Sequence, residues 1–313
     1  DGQTYTLTAD VSDATGNAAA QVTSSSFTVD TTAPSINAIA TSALSWGDVL
    51  NATEDNADGT VTVTTVGVED GQTLTITLNS ATYTASVSSN SATVTITASG
   101  LQALTDGQTY TLTADVSDAA GNAAAQVTSS SFTVDTTAPT ITSVTSTTDD
   151  GTYNETDTVN VTVTFSEAVT LDGGNLVITL ETGDTDRTVT ITEITSSNTA
   201  SGTYTVQAGD TSSDLTASGI ALSAGTLKDA GGNAMSSFTI GSNLAATSAL
   251  VIDTTAPTIT SVTSTTNDGS YNEGDEVNIT VNFSEAVTLA GGNLVVTLET
   301  GSTDRTVTIE TIT

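Results

Sequence analysis

Val134-Asp135-Thr136-Thr137-Ala138-Pro139 decides how this chain is read. Its Asp-Thr-Thr-Ala-Pro core stands again at Asp30 to Pro34 and at Asp253 to Pro257, and the three copies hold all three prolines of the 313 residues. A β-rich run leads into each copy, a proline that cannot donate to a sheet ladder stops it, and another β-rich run begins beyond. The stretch is therefore a junction between blocks. The two complete intervals, 31–135 and 136–253, have the size of an immunoglobulin domain, roughly 100 residues.

Self-comparison sorts the blocks into two types. Residues 1–34 repeat as 106–139 with one change, Thr15 against Ala120, and residues 136–195 recur as 254–313 with scattered changes such as Val161 against Ile279. The chain reads as the C-terminal part of a type A block (1–30), a complete type A (31–135), a complete type B (136–253) and the N-terminal half of a second type B (254–313). It is expected to be a window on a longer array whose neighbouring repeats are its first partners.

Within each block apolar residues alternate with Thr and Ser. Tyr110, Leu112, Ala114 and Val116 fall on one face while Thr109, Thr111, Thr113 and Asp115 fall on the other, the period of a strand with one buried side. Comparable runs include Val61 to Val68, Leu74 to Leu78, Val159 to Phe165, Leu176 to Leu180, Tyr204 to Val206 and Phe238 to Ile240. Helical periodicity never lasts beyond a turn. The expected fold is all-β, with tandem Ig-like antiparallel β-sandwich domains of about seven strands each in an extended array. Tyr110 stands where a tyrosine corner would bind the upstream turn; the alternative is an ordinary core tyrosine.

Charge narrows the partners. Thirty-six acidic residues face only Lys228, Arg187 and Arg305, a formal charge of -33, so nucleic acid and anionic lipid are both disfavoured. No apolar run reaches the roughly 20 residues of a membrane span, and the window holds no signal-peptide pattern. Cysteine and histidine are absent, which removes disulfides, thiolate metal sites and most nucleophile–base arrangements. The chain is not expected to be an enzyme. Gly173-Gly174 and Gly231-Gly232 read as turns rather than phosphate loops.

Oxygen ligands, by contrast, are concentrated at block ends, which suits calcium. Each junction is expected to gather its own aspartate, the loop before the last strand, and the first loop of the following block. For the first junction these are Asp30, then Asp13 and Asn17, then Asp48, Asn51 and Glu54. For the second they are Asp135, then Asp118 and Asn122, then Asp150, Asn154, Glu155 and Asp157. For the third they are Asp253, then Asp229 and Asn233, then Asp268, Asn272, Glu273 and Asp275. The same sequences also read as plain turns, because Asp, Asn and Gly are the usual turn formers. Glu54 to Gly59 is not an EF-hand loop, since its twelfth position is Thr65. Arg187 and Arg305 suggest cross-strand or surface ion pairs worth under about 1 kcal/mol rather than a ligand site. Trp46 is expected to cap the sandwich, touch the preceding block or stack on a sugar.

Several of these residues carry a resemblance. Phe165-Ser166-Glu167-Ala168-Val169, Leu180-Glu181-Thr182-Gly183-Asp184 and Lys228-Asp229-Ala230-Gly231-Gly232-Asn233 of type B, with Gly47-Asp48-Val49-Leu50-Asn51-Ala52 of type A, resemble the bacterial Ig-like repeats of giant secreted surface proteins and biofilm adhesins. The resemblance implies calcium at the junctions and an extracellular place on a bacterial cell surface. The expected function is a stalk segment of a large adhesin, stiffened by Ca2+. The alternatives are a subunit of an extracellular filament or surface layer, in contact with other copies of itself, and a sugar- or ice-binding module.

Overall fold

The alternation of apolar and hydroxyl residues becomes two separate β-sandwiches in the computed structural model, which describes residues 1–312. In the first, the strand Gly59–Val66 lies between Ser91–Ile96 and Ser35–Ile36, all antiparallel. Facing it, Leu112–Asp115 and Thr73–Leu78 form the middle of a four-stranded sheet edged by Val127–Thr128 and Ala81–Ser86. Val61, Val63, Leu74, Ile76, Leu112 and Phe132 meet between the layers. Burying each such side chain contributes about 1.5–3 kcal/mol.

The last strand, Phe132–Asp135, pairs in parallel with Val49–Asn51 and in antiparallel with Thr109–Tyr110. A parallel partner places the short strand after the first loop beside the chain's exit from the block. Tyr110 binds the turn as the corner reading expects: its hydroxyl accepts from the backbone N–H of Thr105 at 2.9 Å.

The second sandwich repeats the plan with a longer central strand. Thr158–Asp172 pairs with Ile141–Thr145 and Ser197–Thr205, and its far end pairs with Thr226–Lys228. Its register jumps between Thr164 and Val169. That interruption lifts Ser166 to Ala168 out of the ladder. Leu176–Glu181 lies between Arg187–Ile191 and Thr216–Leu222, and Leu250–Asp253 runs parallel to Gly151–Tyr153. The strand expected over Phe238 to Ile240 does not form. Both of those side chains pack against the core without a ladder partner, so burial decided the pattern there and pairing did not.

The two cores share no residue; one spans Ile36 to Val134 and the other Ile141 to Ile252. Residues on either side of them form short two-stranded pairs, such as Gln3–Tyr5 with Phe27–Val29 and Leu294–Leu298 with Arg305–Ile309, with exposed apolar side chains such as Leu7, Val22 and Ile259.

Two single residues lie deeper than the sequence suggests. Trp46 is only 5% exposed and sits edge-on to Phe132 with ring centroids 5.4 Å apart, so it is a core residue and offers no ring to a sugar. Arg187 is not in a surface pair. Its Nε donates to Asp210 at 2.7 Å, and that aspartate is 1% exposed and also accepts from the Tyr204 hydroxyl at 2.7 Å and the Gln207 N–H at 2.9 Å.

Candidate metal centre between the two sandwiches

Strand direction determines which loops meet at a junction. A first strand starts at the junction it has just crossed and runs away from it, so the loop after it lies at the far end of its block. The last strand runs toward the next junction, so the loop before it lies at the near end. A junction therefore gathers the first loop of the preceding block and the late loop of the following one.

The geometry bears this out at the junction between the two sandwiches. From the preceding block come Asp135 and its parallel-strand partner Asn51. From the following block come Asp229 and Asn233, with Glu167 from the interrupted stretch of the long strand. One carboxylate oxygen each from Asp135, Glu167 and Asp229 lie within 4.8 Å of one another, with Asp229 buried and the other two half-buried.

Hydrogen bonds across the junction fix this cluster. The Asn233 side-chain amide donates to the Asp135 carbonyl at 2.9 Å, to Asp135 Oδ1 at 3.2 Å and to Asp229 Oδ2 at 3.0 Å. Its own Oδ1 accepts from the Ala52 N–H at 2.9 Å. Asn51 Nδ2 donates to the Gly231 carbonyl at 3.2 Å. A Cβ on Gly231 would lie 2.5 Å from Asp135 Oδ2, so only glycine allows the loop this close to the aspartate.

Among the described residues no basic side chain forms an ion pair with these carboxylates. Burial, and then the neighbouring charge of Asp229, hold the Asp135 carboxyl above the usual carboxylate range. Glu167 is raised too, by burial and then by Asp229, Asp135 and Asp106. Like charges this close disfavour ionisation, and a hard cation would relieve them. The donor set fits one, being all oxygen with no nitrogen or sulfur ligand.

The expected groupings are thus reversed end for end. Asp118 and Asn122 do not join Asp135; Asn122 Nδ2 donates to the Asp30 carbonyl at 3.2 Å and to Asp118 Oδ2 at 2.8 Å, placing that loop at the first junction. Asp229 and Asn233 belong with Asp135 rather than Asp253. Asp48, Asn51 and Glu54 lie toward Asp135 rather than Asp30, with Glu54 accepting from the Asn51 N–H at 3.1 Å. Asp150, Asn154, Glu155 and Asp157 flank the strand that pairs in parallel beside Asp253, at the third junction. Asp268, Asn272, Glu273 and Asp275 follow the strand Ile259–Thr263, which leads away from Asp253. Asp13 and Asn17 bond each other at 2.8 Å, in the same turn as Asp118 with Asn122.

Glu167 was missed, as was Glu69, whose Oε2 accepts from the Ala119 N–H at 2.9 Å beside the first-junction loop. The signal was present in Phe165-Ser166-Glu167-Ala168, where a charged residue interrupts an alternating run.

No family model matches the chain, and no curated protein does. Among solved structures, it is similar to a Ca2+-stabilized adhesin with which an Antarctic bacterium reaches out and binds ice, at 26% identity over 98% of this chain and 71% of that one, with a TM-score of 0.45. It is also similar to part of a 1.5-MDa bacterial ice-binding adhesin, at 24% identity over 82% of this chain and 76% of that one, with a TM-score of 0.42. A bacterial immunoglobulin-like domain of the M. primoryensis ice-binding adhesin matches at 33% identity over 33% of this chain and 95% of that one, with a TM-score of 0.24. At such TM-scores the superpositions carry no weight. The sheet pairings described above make this an all-β chain of Ig-like sandwiches, and the solved structures it is similar to are bacterial adhesin domains, one of them immunoglobulin-like.

Proposed function

We propose that this chain is a spacer segment of a large extracellular bacterial adhesin, in which Ca2+ bound between consecutive sandwiches stiffens the array. The observation that carries the reading is the triad of Asp135, Glu167 and Asp229, drawn from two blocks and held by Asn233. These three would hold the ion. Asn233 orients two of them, and backbone carbonyls and water would complete six to eight oxygen ligands. The ion supplies charge neutralisation and no reaction.

Without a cation the clustered carboxylates repel and the junction loosens. With one, separation of the blocks costs the coordination. Extracellular modules bind calcium at roughly 10⁻⁴ to 10⁻³ M, so the segment is stiff outside a cell. The Ca2+-stabilized adhesin to which the chain is similar supports the same reading.

Calcium titration by calorimetry, with small-angle scattering in calcium and in chelator, tests it. Saturable binding with a longer, narrower maximum dimension is expected, and Asp229→Asn with Glu167→Gln should abolish the change at this junction. Scattering that is identical in both buffers would overturn the proposal.

A further inference from the structure

Three carboxylates form the triad, yet a fourth lies near it. Asp106 adds to the electrostatic load on Asp135 and Glu167, but its oxygens are already engaged. Its Oδ1 accepts from the Thr136 N–H at 2.6 Å and from the Thr136 hydroxyl at 3.2 Å, and its Oδ2 accepts from the Thr137 hydroxyl at 2.6 Å. These two threonines are the repeated Thr-Thr of the junction motif, which the metal reading leaves unexplained.

The arrangement recurs at the first junction and is replaced by a backbone version at the third. Asp1 accepts from the Thr31 N–H at 2.8 Å and from the Thr32 hydroxyl at 2.5 Å. At the third junction Asp210 holds the equivalent place, opposite Thr254 at the start of the strand that pairs with the last one. There the carboxylate is turned inward to Arg187 and Tyr204, and backbone replaces it. The Thr254 hydroxyl donates to the Asp210 carbonyl at 2.9 Å and accepts from the Gly209 N–H at 3.0 Å.

Beyond the threonines the chain is soon held by the next block. Thr140 N–H donates to Ser166 Oγ at 2.9 Å, and Thr258 N–H donates to Ser284 Oγ at 2.9 Å. Pro139 is buried and has no N–H to offer. Free rotation at the second junction is thus confined to Ala138 and the bonds beside it. A linker of several loose residues would sample a broad cone; one reduced to a single residue does not.

We propose that Asp106, acting through Thr136 and Thr137, is a positioning residue that latches the linker to the preceding sandwich without any cation, presenting Asp135 to the following one in place. The same role falls at the third junction to the Gly209–Asp210 backbone with Thr254. The latch rests on the junction geometry of the spacer reading, and its failure is separable from failure of calcium binding.

The test uses the whole 313-residue chain, which has no cysteine of its own. Thr95→Cys and Thr199→Cys, both exposed positions on the two sandwiches, carry spin labels, and the distance distribution between them is read in chelator and in about 10 mM calcium, above the roughly 10⁻⁴ to 10⁻³ M of such sites. In chelator the parent chain should give one confined distribution, and Thr137→Val or Asp106→Ala should at least double its width. Thr137→Ser, which keeps the hydroxyl, should restore it. Should Asp106→Ala unfold its block, seen as loss of the buried Trp46 fluorescence, Thr137→Val carries the test alone. If parent and Thr137→Val are equally wide in chelator, the latch is wrong, even if calcium narrows both. If the variants broaden while calcium changes nothing, the latch stands and the calcium reading falls.

Discussion

Asp210 shows what one buried charge does in a chain with so few cations. Burial would push its carboxyl up, but donation from the Tyr204 hydroxyl and Gln207 N–H, together with the Arg187 guanidinium, outweighs this and holds it below the usual range. Tyr204 remains a donor because burial and the adjacent carboxylate push its own ionisation up. Arg187→Met leaves the carboxylate buried without its cation, and because the arginine is partly exposed the expected loss is about 2 kcal/mol from the second sandwich rather than the full cost of a wholly buried pair. The sign with pH follows from the lowered value. The unfolded pKa is about 3.9, so the contribution is complete above it and is lost as pH falls through the lower folded value. Urea unfolding followed from pH 7 downward should show the parent losing stability only on the acid side, with a shallower loss in Arg187→Met. Equal slopes would remove the charge from the account. The sequence exposed Asp-Arg-Thr-Val but not its partner, since Arg187 and Asp210 lie 23 positions apart and meet only when the strands at Arg187–Ile191 and Thr211–Ser212 are folded.

At the level of strands and loops, more was legible. Alternation located most strands and the sandwich class, because period two is imposed by burial on one face of a pleat. What alternation does not encode is direction. The oxygen-rich loops were identified by composition, yet they were assigned to the wrong ends of their blocks, since which end a loop occupies depends on the path of the strand before it. Glu167 escaped because a bulge, not a turn, presents it. The glycine pair at Gly173-Gly174 was read as a turn, and its structure is tighter than that word conveys. Gly225, at φ +75°, packs against it so closely that an added Cβ would sit 2.2 Å from the Gly173 carbonyl oxygen. Gly225→Ala therefore combines a left-handed backbone with a clash against main chain, and should cost about 2 to 4 kcal/mol. Gly219→Ala, in a strand with nothing within 4 Å of the new carbon, is the control and should be tolerated. Chemical unfolding of the two variants separates these cases, and equal midpoints would show that the turn relaxes.

For the whole molecule, the decisive fact is that the two cores share no side chain while the triad draws on both blocks. Without a cation, each sandwich should unfold largely on its own, and calorimetry in chelator should resolve separate transitions. A bound ion changes the linkage, because it stabilises by RT ln(1 + [L]/Kd), or about 2.7 kcal/mol when calcium stands at 100 times Kd. For a domain of roughly 100 residues that amounts to an upward shift on the order of 10 °C or more. The distribution of the shift matters more than its size. Asp135 belongs to the first sandwich, and Glu167 and Asp229 to the second, so melting either one destroys the site and releases the ion. The block that would otherwise melt first must therefore shift upward with calcium, and the two transitions should draw together. Asp135→Asn and Asp229→Asn lie in different blocks, yet each should remove that convergence. A cation held wholly inside the second sandwich would raise one transition alone and leave Asp135→Asn without effect on it, an outcome incompatible with a clamp between blocks.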